Sequence, residues 1–164
     1  MRVHIIAFGK LKTPGLREAA EYYLKLIRPW VALEECELKS LTVPSDKSAV
    51  ARKQIQEKET ELLFNALSSR LGSRGFFYLM DETGKAFATR DWAKQIQSWE
   101  GNSIPDLAIC LGSSLGFSPE LKGRAKGLLS LGPQTFPHEL ARVVLLEQLY
   151  RAWSVTRGHP YHNE

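Results

Sequence analysis

Residues 127–164 read GLLSLGPQTFPHELARVVLLEQLYRAWSVTRGHPYHNE, and the fold is organised around this stretch. It begins with an apolar run, Leu128–Leu131, which is too short for a helix and is bounded by glycines. The run therefore predicts a buried strand that ends in a turn. In the loop that follows, Gly132 allows a ligand to approach the backbone closely, and two prolines restrict the local conformations. A long helix is predicted next, from about Pro137 to about Val155.

The predicted C-terminal helix is apolar on two opposite sides. One side consists of Ala141, Leu145, Leu146, Leu149, Ala152 and Trp153, and the other carries Leu140, Val143, Val144 and Tyr150. This distribution indicates a helix that is covered twice, by its own sheet and by a second subunit. Arg142 falls within the first apolar side. It must be paired or must face a ligand or partner, since an unpaired buried charge costs several kcal/mol or more.

Upstream of this stretch, strand and helix patterns alternate along the chain. The predicted strands are Val3–Phe8, Leu33–Ser40, Gly75–Met80 and Asp106–Leu111. With helices between the strands, this order predicts one α/β domain over residues 1–164, with a mainly parallel sheet and helices on both faces. Ligands of such sheets bind at the carboxyl ends of the strands. The loops after Met80, Leu111 and Leu131 are thus the expected walls of one site.

Three segments carry more specific local predictions. Glu35 and Glu37 alternate with apolar residues, which is the pattern of a half-exposed strand. Residues Glu82–Lys85, after the third strand, are predicted to form a turn. A helix is predicted from about Ser48 to about Ser69, and most of its charges are expected on a solvated face.

Composition narrows the class of protein. The net charge of +4 and the pI of about 9.1 are mildly basic, which is compatible with a phosphate-bearing partner without demanding one. No segment approaches the roughly 18 uncharged apolar residues of a membrane span, and the apolar part of the N-terminus is too short for a signal peptide, so we expect a cytosolic protein. Cys36 and Cys110 lie in apolar runs and are predicted to be buried free thiols. No cluster has metal-ligand spacing, so no metal is expected.

The segment GSSLG at residues 112–116 matches the G-x-S-x-G nucleophile elbow between a strand and a helix. A serine hydrolase using Ser114 would also need an acid and a histidine downstream, but no aspartate follows, and the chain is short for that fold. A glycine-serine turn that lets a ligand approach is the favoured interpretation. Dinucleotide and P-loop motifs are absent from the sequence, and glycine turns beside apolar side chains suit a nucleoside such as adenosine.

Four segments carry a family resemblance: VHIIAFGKLK, YLMDETGK, LGSSLGFSP and, at residues 129–162, LSLGPQTFPHELARVVLLEQLYRAWSVTRGHPYH. They resemble the RlmH family of the SPOUT superfamily, the 23S ribosomal RNA pseudouridine-N3 methyltransferases. The resemblance implies an α/β knot, in which the C-terminal segment threads through a loop to form a trefoil. It also implies S-adenosyl-L-methionine as cofactor, a homodimer with the long C-terminal helices at its interface, and a pseudouridine in large-subunit ribosomal RNA as substrate.

The resemblance also implies positions for the cofactor. They are Met80, Gly112, Leu131, Gly132, Pro133, Gln134, Thr135 and Phe136. Three residues depart from the usual family pattern. Ser113 stands where a second glycine is usual, Met80 where leucine is frequent, and Asn163 where the tail usually has a basic residue that could contact phosphate.

For the reaction, we expect N3 of the pseudouridine to attack the sulfonium methyl group in line, with loss of the imide proton. His162 is the first candidate for the base, because the ordinary pKa of histidine is near neutrality. Arg142 could stabilise the imide anion or hold the tail, or it could pair with a carboxylate such as Glu147 across a dimer. Tyr161 could stack on the base or merely pack. The candidate RNA contacts are Lys10, Lys12, Arg151 and Arg157, and a non-catalytic ribosome-binding factor is a further alternative.

Overall fold

The computed structural model describes residues 1–42 and 48–161. Its elements are β1 Arg2–Phe8, α1 Leu16–Ile27, β2 Ala32–Leu38, α2 Ala49–Ser68, β3 Phe76–Ala86, α3 Thr89–Gly101, β4 Asp106–Leu111, α4 Pro119–Arg124, β5 Gly127–Ser130 and α5 His138–Thr156. The strict alternation of strand and helix confirms the predicted α/β class. Along the described ranges, no helix combines the length and the apolar character needed to cross a membrane.

The five strands form one parallel sheet in the order β2-β1-β4-β3-β5. Side chains on β1 alternate between two cores, as a strand covered on both faces requires. Val3 and Ile5 join the core under α1, α3 and α5, whereas Ile6 and Phe8 join the core under α2 and α4. Helices therefore cover both faces of the sheet, as predicted.

Helix α5 packs against α1 and α3 of the same chain, whereas Leu140 on its second apolar side is 37% exposed. Tyr150 stacks on Trp30, with the ring centroids 5.3 Å apart and the planes 5° from parallel. Trp153 is fully buried, and its Nε1 donates to Glu100 Oε1 over 3.3 Å. The two-sided pattern therefore does not by itself require a second subunit, because periodicity cannot distinguish a helix of the same chain from one of a partner.

The glutamates of β2 are less open than their alternation suggested. Glu35 and Glu37 turn toward α5, where both accept hydrogen bonds from Arg142 Nη1, over 3.0 Å and 2.7 Å. Arg17 of α1 pairs with the same two carboxylates. This side of β2 therefore carries a partly buried ionic network.

The turn predicted at Glu82–Lys85 is wrong, because β3 continues to Ala86. The ladder with β5 is irregular there: Met80 and Lys85 both have Leu129 as their partner, and the residues between them bulge out. Gly84 crosses β5 so closely that a methyl group on it would lie 2.6 Å from the carbonyl carbon of Leu128. Residues 82–85, which are typical of a turn, thus lie inside β3, next to β5.

Candidate cofactor site

One pocket lies where the carboxyl ends of β3, β4 and β5 meet the first turn of α5. Its volume is about 660 Å³, within the range of about 300–1,000 Å³ that is usual for small-molecule sites. Met80, Leu111 and Leu131 all line it. The three chain segments predicted to meet at one edge of the sheet therefore do so, although the one after Met80 is a bulge of β3 and not a loop.

Six of the eight positions expected to hold the cofactor line this pocket: Met80, Gly112, Leu131, Gln134, Thr135 and Phe136. Gly132 and Pro133 do not line it. Gly132 instead shapes the turn, with a φ of +129° that favours glycine. Its N–H donates to Ser130 Oγ over 3.1 Å, and the same hydroxyl donates to its carbonyl over 2.9 Å.

The loop after β4 is held from behind by α2. Ser113, which lines the pocket, donates from Oγ to Glu59 Oε2 over 2.6 Å and accepts from Leu115 N over 3.2 Å. Glu59 is only 3% exposed. One turn earlier, Gln56 Nε2 donates to Leu115 O over 3.2 Å. These side chains lie on the helix whose charges were mainly expected in solvent, and sequence analysis missed Glu59.

A polar signal for this docking is present in the sequence, although it is weak. Gln56, Glu59 and Thr60 recur at the spacing of one helix face, and Thr60 Oγ1 lies 2.8 Å from Ser118 Oγ. A polar stripe on a charged helix looks like a solvated face unless its partners are known. Those partners lie more than fifty residues away, so local spacing could not identify them.

Two carboxylates lie beside the loop after Met80. Asp81 Oδ2 is 2.7 Å from Lys122 Nζ. Burial alone would raise the pKa of Asp81, but hydrogen bonds from Lys122 and Thr83 outweigh it and hold the pKa below its ordinary value. Glu82 is exposed and accepts from Thr135 Oγ1 over 3.4 Å. The pocket thus combines apolar walls with one neutralised and one open carboxylate.

The first turn of α5 ties the pocket to the loop between β1 and α1. Glu139 Oε2 accepts from the backbone N–H groups of Lys12 and Thr13, over 2.7 Å and 2.8 Å. The N–H of Thr13, followed by that of Lys12, holds the pKa of Glu139 below its ordinary value. His138 lines the pocket, and a methyl group placed on Gly9 would lie 3.5 Å from its Nε2.

Arg142 does not line the pocket, because its side chain is 0% exposed behind the wall. Besides the two glutamates of β2, it donates from Nη2 to the carbonyl of Gly9 over 2.6 Å. Burial would raise the pKa of Glu37, but hydrogen bonds from Arg142 and Arg17 hold it below its ordinary value. The suggested pairing of Arg142 with Glu147 is replaced by these contacts within one chain, since Glu147 binds Arg151.

Of the two tail candidates, Tyr161 is not at the pocket wall. Tyr161 packs on Tyr150 with ring centroids 4.5 Å apart, and its hydroxyl donates to Glu147 Oε1 over 3.2 Å. Burial, followed by hydrogen bonding with Tyr23, raises the pKa of Tyr161. Glu147 is nine residues from His138, or roughly 14 Å along the helix at about 1.5 Å per residue. His162 lies outside the described residues.

The hydrolase alternative finds no support in the contacts of Ser114. Its side chain is exposed at the pocket, and within residues 1–42 and 48–161 no hydrogen bond joins it to a histidine. In the same part of the chain, no group of histidine, cysteine and carboxylate side chains could hold a metal ion. Cys36 and Cys110 are free, Cys110 is buried, and Cys36 is partly buried.

Comparisons with known proteins identify the family of this chain. The family described as "Predicted SPOUT methyltransferase" matches residues 1–162. Proteins named ribosomal RNA large subunit methyltransferase H are 34% identical over 162 residues in Streptococcus thermophilus strain CNRZ 1066 and 36% identical over 163 in Natranaerobius thermophilus, each match covering 99% of both chains. A probable methylase family protein from Haemophilus influenzae Rd KW20 shares the fold, with a TM-score of 0.56, 13% identity and coverage of 99% of this chain and 70% of that one. The chain therefore belongs to the SPOUT methyltransferase family.

Proposed function

We propose that this protein transfers a methyl group from S-adenosyl-L-methionine to large-subunit ribosomal RNA, at N3 of a pseudouridine. The observation that carries the proposal is the pocket at the ends of β3, β4 and β5, built from six of the eight expected positions. The names of the curated relatives support the RNA class, and the resemblance to RlmH proteins supports the base and its atom. A ribosomal substrate also fits a cytoplasmic enzyme.

The residues present fit this cofactor. Met80, Leu131 and Phe136 offer an apolar slot for an adenine ring, and the glycine-bearing loops offer backbone groups to its polar edges. Asp81 is already paired with Lys122, whereas Glu82 is exposed and free to face a positively charged group. When bound, S-adenosyl-L-methionine would supply a methyl group made electrophilic by its sulfonium centre.

The chain's own contribution is to hold the reacting groups in place and to accept a proton. We retain His162 as the candidate base. Arg142 is enclosed by Glu35, Glu37 and the carbonyl of Gly9, which favours a positioning role. It would fix the ends of β1 and β2 against α5 and so keep the wall of the pocket in shape.

We also propose that the enzyme acts as a homodimer, in which the tail of one subunit closes the pocket of the other. Within one chain, Tyr161 packs against Tyr150 and Glu147 and not against the pocket-lining His138. A second copy could bring its own tail to that pocket. Two variants test this idea: His162→Ala damages the tail, and Phe136→Ala damages the pocket. Mixed dimers that regain part of the activity lost in each parent would support exchange, and mixtures as inactive as the parents would exclude it.

The test of function is transfer of a radiolabelled methyl group to ribosomes or large subunits that lack this modification, followed by nucleoside analysis. We expect label in 3-methylpseudouridine, and none when uridine replaces the target pseudouridine. Calorimetry should detect binding of S-adenosyl-L-methionine without RNA. A protein that binds large subunits but neither binds nor consumes the cofactor would be a ribosome-binding factor, and labelling of Ser114 by a fluorophosphonate would favour a hydrolase.

A further inference from the structure

We infer that the loop between β1 and α1, residues 9–15, contacts the phosphodiester backbone of the RNA through Lys10 and Lys12, and that Glu139 is a positioning residue that holds this loop. The inference rests on the proposed function and deepens it. It assigns part of the RNA-binding surface. It also gives a role to the carboxylate of Glu139, which does not line the cofactor pocket and forms no ion pair described above.

The loop is tied to the N-terminal part of α5 at its first residue and again near its middle. At its beginning, Arg142 Nη2 donates to Gly9 O over 2.6 Å. Further along, one oxygen of Glu139 accepts two backbone N–H groups, from Lys12 and from Thr13, at 2.7 Å and 2.8 Å. A carboxylate that receives two N–H groups fixes the direction of the peptides that carry them. The path of the loop is thus set by α5 and not by the lysines.

This tie places the loop at the rim of the cofactor pocket. His138 lines the pocket, and a methyl group on Gly9 would be within 3.5 Å of its imidazole. Gly9 itself has a φ of +84°, which lets the chain turn sharply at the end of β1. The first residues of this loop are therefore near enough to the pocket to contact the backbone of an RNA whose base enters it.

The charges of the loop are available for phosphate. Lys10 and Lys12 are both exposed. Among the ion pairs of the described residues, none involves either lysine. Because Glu139 binds the loop through backbone N–H groups, it restrains Lys12 without neutralising its ammonium group.

The other two candidate RNA contacts, Arg151 and Arg157, are paired with carboxylates and lie away from the pocket. Arg151 pairs with Glu147, and Arg157 pairs with Glu100 over 2.7 Å. Both lie toward the end of α5 that is remote from the pocket. The four basic residues that the sequence could not separate therefore divide into two free lysines beside the pocket and two paired arginines away from it.

When Glu139 is removed, a positioning role and a simple charge effect predict changes of opposite sign in RNA affinity. If the carboxylate acted only through its field, its removal would strengthen RNA binding by lowering the repulsion of phosphate. If it positions the loop, its removal should weaken RNA binding, because two lysines then lose a fixed geometry. The sign of the change thus separates the two roles.

The experiment compares Lys10→Ala/Lys12→Ala, Glu139→Ala and Glu139→Gln with the wild-type protein, and uses Glu61→Ala on exposed α2 surface as the control for losing one negative charge. RNA affinity is measured with ribosomes across a series of KCl concentrations at fixed Mg²⁺. We expect the double lysine variant to lower the slope of log affinity against log salt by about 1.5, since each phosphate contact contributes roughly 0.7–0.9. Cofactor affinity from calorimetry should stay at the wild-type value in every variant, which also reports folding.

In steady-state methylation, Glu139→Ala should raise KM for ribosomes about three- to tenfold with little change in kcat. Glu139→Gln should recover much of this loss, because its amide oxygen can still accept the two N–H groups. Tighter RNA binding by Glu139→Ala, or a double lysine variant with the wild-type KM and salt slope, would overturn the inference while leaving the methyltransferase proposal intact. A wild-type protein that bound no S-adenosyl-L-methionine and methylated no RNA would instead remove the proposed function on which the inference rests.

Discussion

Replacing Gly84 by alanine should destabilise the protein strongly, although the change adds only one methyl group. The added carbon would lie 2.6 Å from Leu128 C, 2.6 Å from Leu129 N and 2.7 Å from Leu129 C. Carbon atoms in contact are normally about 3.5–4.0 Å apart, so the methyl group would overlap β5 by about 1 Å. All three neighbours are backbone atoms and have no rotamer through which to move away.

The magnitude follows from what would have to shift. Overpacking by a methyl group usually costs about 1–3 kcal/mol when side chains can adjust. Here β5 would have to move, and Leu129 is paired with both Met80 and Lys85, so we expect about 3 kcal/mol or more. The reduced freedom of the unfolded chain offsets about 0.4–1 kcal/mol of this. The net loss in free energy of unfolding should therefore be at least about 2 kcal/mol.

Urea unfolding, followed by circular dichroism and by tryptophan fluorescence, measures this loss as a lower midpoint. Gly123→Ala is the matched control, because Gly123 lies exposed in α4 with nothing within 4 Å of an added methyl group. That variant should be neutral or more stable by up to about 1 kcal/mol. Since Leu129 also lines the pocket, Gly84→Ala should weaken cofactor binding. A Gly84→Ala protein with the wild-type midpoint and slope would show that the crossing of β3 over β5 is much looser than described.

Three further predictions use the same measurements. Arg142→Met should cost about 3–5 kcal/mol, because breaking a buried pair leaves charges uncompensated, whereas a loss within 1 kcal/mol would mean that Glu35 and Glu37 do not depend on it. Burial lowers the pKa of His4 from 6.5, so the unfolded state binds more protons than the folded state as the pH falls. The contribution of His4 to the free energy of unfolding should therefore be complete above about pH 6.5 and should decrease below it. His4→Leu should remove this pH dependence. Glu59→Ala and Ser113→Ala should each weaken cofactor binding several-fold, because each removes the hydrogen bond between the two side chains. The double variant should lose less than the sum of the two single losses, and additive losses would contradict this coupling.

Strands could be predicted from the sequence where burial on both faces makes them continuously apolar. Asp106–Leu111 was predicted with the bounds that β4 has, and Val3–Phe8 differs from β1 by one residue. The position of the site followed as well, because parallel strands bring their carboxyl ends to one edge. The continuation of β3 past Met80 could not be predicted, since residues 81–86 have turn chemistry and return to the sheet through the pairing of Lys85 and Ala86 with β5. Knots are also invisible to periodicity, and the knotted fold expected here came from family resemblance alone.

Polar side chains at one edge of the sheet hold the loops that form the pocket. Arg142 binds the end of β1, Glu59 binds the loop after β4, Lys122 binds Asp81 after the regular part of β3, and Ser130 binds the turn at Gly132. Each contact fixes the backbone or a side chain at the wall of the pocket. Preorganisation of this kind lowers the ordering cost of binding. Substitutions behind the wall should therefore act mainly on cofactor affinity and on KM, whereas substitutions of groups that touch the base should act mainly on kcat.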